Sequence, residues 1–119
     1  MNIEEFREHC ILKNGVTEEF PFDAGTLVFK VMGKMFALVP LERIPSQANL
    51  KCDPERAIEL RETYDGKITA GYHMSKVHWN TLYLETLSPS LVRELIDHSY
   101  ELVVAGLTKK LQAQLKALD

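Results

Sequence analysis

The sequence predicts an α+β domain in which a single antiparallel β-sheet packs against N-terminal, middle and C-terminal helices. Helical and extended patterns alternate in the order helix, strands, helix, one or two strands, helix, which one sheet with helices laid against it satisfies. The links between extended segments are too short for repeated parallel crossovers. Gly33 separates two apolar runs, TLVFKV and MFALVP, where a tight hairpin needs a residue that reaches positive φ cheaply.

The first helix is expected over about Ile3 to Lys13. Asn2 is placed to cap it, and Glu5 follows at the spacing of a capping box. Ile3, Phe6 and Cys10 then share one face, and Asn14-Gly15 stops the helix. In TLVFKV the side chains of Leu27, Phe29 and Val31 point one way and those of Val28 and Lys30 the other. SQANLKCD reads as a third strand with Asn49 and Lys51 on one face and Leu50 and Cys52 on the other. Asp53 caps a second helix that begins at Pro54, where a missing N–H costs nothing; Ala57, Leu60 and Tyr64 form its inner stripe, and Asp65-Gly66 ends it. KITAG and HWNTLYLE are strand-like, the latter through its β-branched and aromatic content. A long helix starts at Ser88-Pro89, buries Leu91, Leu95, Ile96, Tyr100 and Val103, and is ended or interrupted by Gly106. The main domain is placed at residues 1–110. In the tail 111–119, Leu111, Leu115 and Leu118 recur at near-helical spacing, giving either a short helical extension or a frayed end.

A chain of 119 residues is one domain by length, and 45% apolar with 26% charged residues is an ordinary globular mixture. The start MNIEEFREHC is acidic where a signal peptide is basic and then apolar. No apolar run approaches the ~20 residues of a membrane span. The expectation is a soluble cytoplasmic protein, no membrane partner, and reduced, buried Cys10 and Cys52. The net charge of −3 argues against non-specific coating of nucleic acid, which depends on massed Lys and Arg, and still allows a local basic patch.

Catalytic and metal patterns are missing from the sequence. His73 and His78 are five apart, not the spacing of one helical face, and no carboxylate or cysteine nearby completes a ligand set. His9 and Cys10 diverge around the first helix. There is no GxSxG elbow and no glycine-rich phosphate loop. Glu4-Glu5 and Glu18-Glu19 read as solvated acids or as groups complementing a helix dipole. No cofactor, metal or catalytic residue is therefore expected.

A binding pattern is present. Lys30 and Lys34 flank the Gly33 hairpin, Lys51 lies on a neighbouring strand beside Asn49, and Lys76 falls within GYHMSKVHWN (71–80). Lysines on hairpins and loops, interleaved with amide and aromatic groups, suit contact along a nucleic-acid groove, although hairpin lysines also serve to keep edge strands from pairing. Within GYHMSKVHWN, Gly71 is expected to turn the chain, Trp79 to anchor the strand to the core, and Asn80 to cap or hold a turn.

Several segments together resemble the MmcQ/YjbR family: FPFD (20–23), TLVFKVMGKMFAL (26–38), NLKCDPE (49–55), GYHMSKVHWNTLYL (71–84) and ELIDHSY (94–100). The similarity runs from the first helix to about Lys110. It implies a topology related to frataxin-like (YjbR/CyaY-like) domains, with a double-wing arrangement whose curved antiparallel sheet contacts DNA. It implies no catalytic residue and no cofactor.

From the residues and the resemblance together, the expectation is a non-enzymatic binding module for double-stranded DNA. Lys30, Lys34, Lys51 and Lys76 would meet phosphates, and Asn49, Tyr72, His73 and Asn80 a base or sugar. The alternative is an adaptor that takes a protein partner or small ligand around Trp79, Tyr72 and His73. The DNA reading requires the lysines to share one exposed pleated surface, with the acids on the helices behind it.

Overall fold

The computed structural model describes residues 1–71 and 74–119. The chain runs through α1 (Ile3–Ile11), β1 (Val16–Glu19), β2 (Thr26–Val31), β3 (Lys34–Pro40), β4 (Gln47–Lys51), α2 (Pro54–Thr63), β5 (Ile68–Ala70), β6 (Trp79–Tyr83), a 3₁₀ turn at Leu84–Thr86, α3 (Pro89–Ala105) and α4 (Lys109–Ala117). The strands form one six-stranded sheet in the order β1-β2-β3-β4-β6-β5, and every neighbouring pair is antiparallel. Among the described residues no helix is long and apolar enough to cross a membrane.

Local chemistry starts each helix. Asn2 Oδ1 accepts from the Glu5 N–H at 2.8 Å and Glu5 Oε1 accepts from the Asn2 N–H at 3.2 Å, closing the capping box. Asp53, Ser88 and Thr108 each accept one backbone N–H of the first turn of α2, α3 and α4. The tail therefore forms a capped helix. Leu115 on it is buried in the main core, and the Asn14 side chain donates to the Leu115 carbonyl at 2.8 Å.

Met32 at φ 50° and Gly33 at φ 81° turn β2 into β3. Both occupy the left-handed region, as a two-residue primed hairpin turn requires. The strand β1 was not expected, because Val16-Thr17-Glu18-Glu19 carries one apolar residue and no alternation. It forms because β2 offers a free edge with which its backbone pairs.

All the helices cover the same face of the sheet. Leu27, Phe29 and Val31 of β2 point into that face, with Val39, Leu50 and Leu82 from the neighbouring strands and Phe6, Ala57, Leu95, Ile96 and Leu115 from the helices. A shift of register between Phe29 and Lys30 marks a bulge in the β2–β3 pair. It turns the consecutive residues Phe36 and Ala37 both into this core. Phe6, Phe29, Phe36 and Tyr100 then form an aromatic chain with ring centroids 6.3, 6.5 and 5.5 Å apart. Trp79 lies elsewhere. It packs with Val28 and Leu38 on the opposite face, with Met35 and Met74 against them, so it is buried as expected but anchors β6 to this smaller core.

Beside the bulge, β3 and β4 pair through only Ala37↔Leu50 and Leu38↔Asn49. One further step of that register would set Phe36 against Lys51. The buried Ser99 hydroxyl of α3 occupies this step instead, donating to the Phe36 carbonyl and accepting from the Lys51 N–H at 2.9 Å. One helix residue thus bridges the two strands where their own ladder ends.

One residue before Ser99 on α3, His98 Nε2 accepts from the Asp53 N–H at 3.1 Å, a bond that only the neutral imidazole makes through that nitrogen. Burial and then the Arg56 guanidinium hold His98 below its ordinary pKa, against the Asp53, Glu101 and Glu94 carboxylates. Between α1 and α3, His9 and Lys13 both contact Asp97 Oδ1. Burial pushes the Asp97 carboxyl up, but these two partners outweigh it and hold it below the usual carboxylate range.

Two outcomes follow for stability. Ser99→Ala leaves a buried carbonyl and a strand N–H without partners and lowers unfolding free energy by about 1–3 kcal/mol, readable in chemical denaturation. Because His98 is depressed in the fold, the unfolded chain binds its proton first as pH falls. Stability therefore drops as pH is lowered below about 6.5, and His98→Gln makes that part of the pH–melting curve shallower.

Candidate functional site

The helix-free face of the sheet is built by alternation. Residues paired in register share a face, so Val28, Lys30, Met35, Leu38, Asn49, Thr81 and Trp79 lie on the side away from the helices. This face is partly roofed by loops. Phe22 and Arg43, from the β1–β2 and β3–β4 connections, line a pocket of about 340 Å³ over the middle of the sheet. Its floor is Thr26, Met35, Leu38 and Pro40 on one side and Gln47 and Asn49 on the other, and Met74 forms part of the wall. A second hollow of about 290 Å³ continues past Thr26, Pro40 and Arg43 to the Asp23 and Glu42 side chains.

The polar groups of the pocket are the Gln47 and Asn49 amides, the Thr26 hydroxyl and the Arg43 guanidinium. Asn49 Oδ1 accepts from the Thr81 hydroxyl. That bond fixes the amide so that its Nδ2 remains the free donor. Gln47 is only 9% exposed, and among the described residues its carboxamide has no hydrogen-bond partner. Phe22 is largely exposed above it.

The expected DNA-contacting residues do not assemble. Lys30 is on the helix-free face but pairs with Glu19 at 3.6 Å, a carboxylate of that same face by its register with Val28. Lys34 is in register with the core residue Val31, which places it on the helix side of the hairpin. Lys51, opposite Trp79, meets Lys34 only at the end of the sheet, where both line a shallow pocket of about 230 Å³ with Met35, Leu102 and Val103. Lys76 is exposed in the turn that enters β6.

Asn80 is corrected outright as a base or sugar contact. It is 1% exposed, faces α2 and donates to the Ala57 carbonyl at 3.4 Å. It sits in the middle of the sheet rather than in a turn. Asn49 alone of the expected base contacts lines the pocket; Tyr72 and His73 lie outside the described residues. Gly71 brings β5 close to β6. Its N–H donates to the Trp79 carbonyl at 2.9 Å, and a Cβ there would stand 2.9 Å from that of Trp79.

The pocket as a whole was not foreseen. Its residues come from β2, β3, β4 and three loops, and Phe22, Gln47 and Met74 carry no spacing signal that links them. Elsewhere, among the described residues no group of three His, Cys, Asp or Glu side chains is placed to hold a metal ion. Cys10 and Cys52 are free and buried, and burial pushes both thiols up, Cys10 strongly. Both are therefore weak nucleophiles near neutral pH.

The fold matches solved structures closely. A crystal structure of a Deinococcus radiodurans protein superposes with a TM-score of 0.91 at 39% identity, covering 97% of this chain and 88% of that one. A Pseudomonas syringae protein superposes with a TM-score of 0.73 at 28% identity, covering 86% and 98%. In sequence, the chain is 40% identical to the uncharacterized protein YbdF of Escherichia coli O157:H7 over 82% of its length and 80% of that protein's. It is 32% identical to the uncharacterized protein YjbR of Escherichia coli K12 over 87% and 88%. The YjbR family model matches residues 12–102, a span that includes every strand and every residue of the pocket, and the chain belongs to the YjbR family.

Proposed function

We propose that the protein is a non-enzymatic binding module that holds a small molecule on the helix-free face of its sheet. The observation that carries this reading is the pocket of about 340 Å³, which rests on its own apolar cluster of Val28, Leu38 and Trp79. Its size and mixed lining fall in the range of small-molecule sites, where apolar walls supply affinity and a few polar groups fix orientation. Gln47, Asn49 and Thr26 bind and orient without titrating near neutral pH, which suits recognition rather than proton transfer. The site adjoins Trp79 of the adaptor reading through Leu38, which lines the pocket and shares a cluster with that tryptophan.

Duplex DNA is the second reading. The convergence of Lys34 and Lys51 at one end of the sheet favours it. The Glu19 partner of Lys30 and the net charge of −3 oppose it, because phosphate affinity rests on uncompensated cations.

The two readings separate on the same protein samples. A fluorescent anilinonaphthalene probe binds the native protein, and Thr26→Trp, which fills the pocket, abolishes that binding without lowering the melting temperature. Labelled duplex at low salt binds weakly, and binding falls further in the Lys34→Ala Lys51→Ala double variant. Probe binding that survives Thr26→Trp unchanged, or tight duplex binding that the lysine variants remove, would overturn the small-molecule reading.

A further inference from the structure

We infer that the pocket takes an uncharged planar nitrogen heterocycle with a hydrogen-bond donor beside an acceptor on one edge, in the manner of a nucleoside. The inference rests on the small-molecule reading above and names the ligand class for the same pocket. A carboxamide that lines a pocket without a protein partner presents its hydrogen-bonding edge to whatever enters. Gln47 is such a group, at 9% exposure and lining the pocket. A glutamine amide offers one acceptor and one donor side by side, the pattern that pairs with an amino group next to a ring nitrogen. Asn49 adds a donor from Nδ2, because its Oδ1 is already engaged by Thr81.

The walls fit a flat ring. Met35 and Met74 line the pocket with Phe22. Thioethers adapt in shape and make favourable contacts with aromatic rings, and an exposed phenyl is suited to stacking on a ring that enters from solvent. The adjoining hollow carries the Asp23 and Glu42 side chains. The two carboxylates outnumber the Arg43 guanidinium that also lines the hollow, so the hollow accepts hydroxyl groups such as those of a sugar and disfavours a phosphate. The charge of the hollow thus selects a nucleoside over its phosphate ester.

Trp79, the sole tryptophan, belongs to the cluster of Val28 and Leu38 on which Met35 and Met74 pack, so its fluorescence reports on occupancy through these pocket residues. The experiment titrates the full chain with adenosine, with adenosine 5′-monophosphate and with the anilinonaphthalene probe, following Trp79 emission and displacement of the probe. The expected result is saturable binding of adenosine that displaces the probe, with the monophosphate binding more weakly. Gln47→Leu keeps the shape and removes the hydrogen-bonding edge. Asn49→Asp keeps the acceptor for Thr81 and removes the donor. Each is expected to weaken adenosine binding roughly tenfold, to weaken the probe by less because the probe rests on the apolar wall, and to leave the melting temperature near that of the native protein. Probe binding without adenosine binding, or adenosine binding unaffected by both variants, would overturn the inference and leave the small-molecule reading standing. Tighter binding of the monophosphate would overturn it through the charge argument. A protein that binds neither the probe nor adenosine would remove both readings together.

Discussion

The Ser99 hydroxyl, set between the Phe36 carbonyl and the Lys51 N–H, is the constraint on which the rest of the structure depends. An antiparallel pair of strands normally satisfies these two groups with each other. Here the bulge next to Phe29 turns both Phe36 and Ala37 toward the helices, and the ladder between β3 and β4 ends one step early. The helix restores what the sheet gives up. A hydroxyl both donates and accepts, so one side chain closes two backbone groups, and it also fixes how deeply α3 sits on the sheet. Apolar packing alone does not set that depth, because it has little directional preference. Seated in this way, α3 brings Tyr100 edge-on to Phe36 at 5.5 Å and places His98 against the start of α2.

The same bulge shapes the other face. A bulge bends its strand and increases the local twist. Phe36 leaves the helix-free side, while Met35 and Leu38 remain on it and line the pocket beneath Phe22. With the helices all on one side, the second side has to manage its own apolar groups. Val28, Leu38 and Trp79 do so by packing on one another, with Met35 and Met74 closing over them. The sheet therefore carries two apolar clusters of unequal size, one sealed by helices and the other partly roofed by loops. The larger holds the fold together, and the smaller leaves room beside it.

Most of the first cluster was legible in the sequence, because alternation and helical spacing are local signals. The caps at Asn2, Asp53 and Ser88, the Gly33 turn and the inward set Leu27, Phe29 and Val31 could all be read from neighbouring residues. What was missed depends on contacts between distant segments. The strand β1 has no pattern of its own and exists because β2 has an edge to fill. Trp79 was read as a core anchor and is buried, but in the cluster on the helix-free face. Asn80 was read as a cap or turn residue, with no face assigned to it. Side chains alternate with a period of two, so with the tryptophan on the helix-free side the neighbouring amide turns inward and bonds to α2. The lysines failed for a related reason. Lys30 and Lys34 are close in sequence, but the turn and the bulge between them place one on each side of the hairpin. The pocket, assembled from three strands and three loops, had no local signature at all.

The position of the pocket relative to the sheet's own chemistry is the last step. On the helix-free face, β2 and β3 contribute Thr26, Val28, Lys30, Met35, Leu38 and Pro40, whereas β4, β6 and β5 contribute Gln47, Asn49, Trp79, Thr81 and Thr69. At the pocket floor the β3 side is apolar and the β4 side presents two amides. The pocket straddles the line between them. Asn49 and Thr81 satisfy each other across β4 and β6, which makes the polar half rigid, while the methionines of the apolar half are the most adaptable side chains available to a core. A surface of this kind discriminates by edge and tolerates variation in body. Its polar groups, once desolvated, penalise a guest that leaves them unpaired, whereas its apolar wall adjusts to modest differences in shape. Charge enters only at the loop edge, through Arg43, Asp23 and Glu42, whereas the strand residues that floor the pocket carry none.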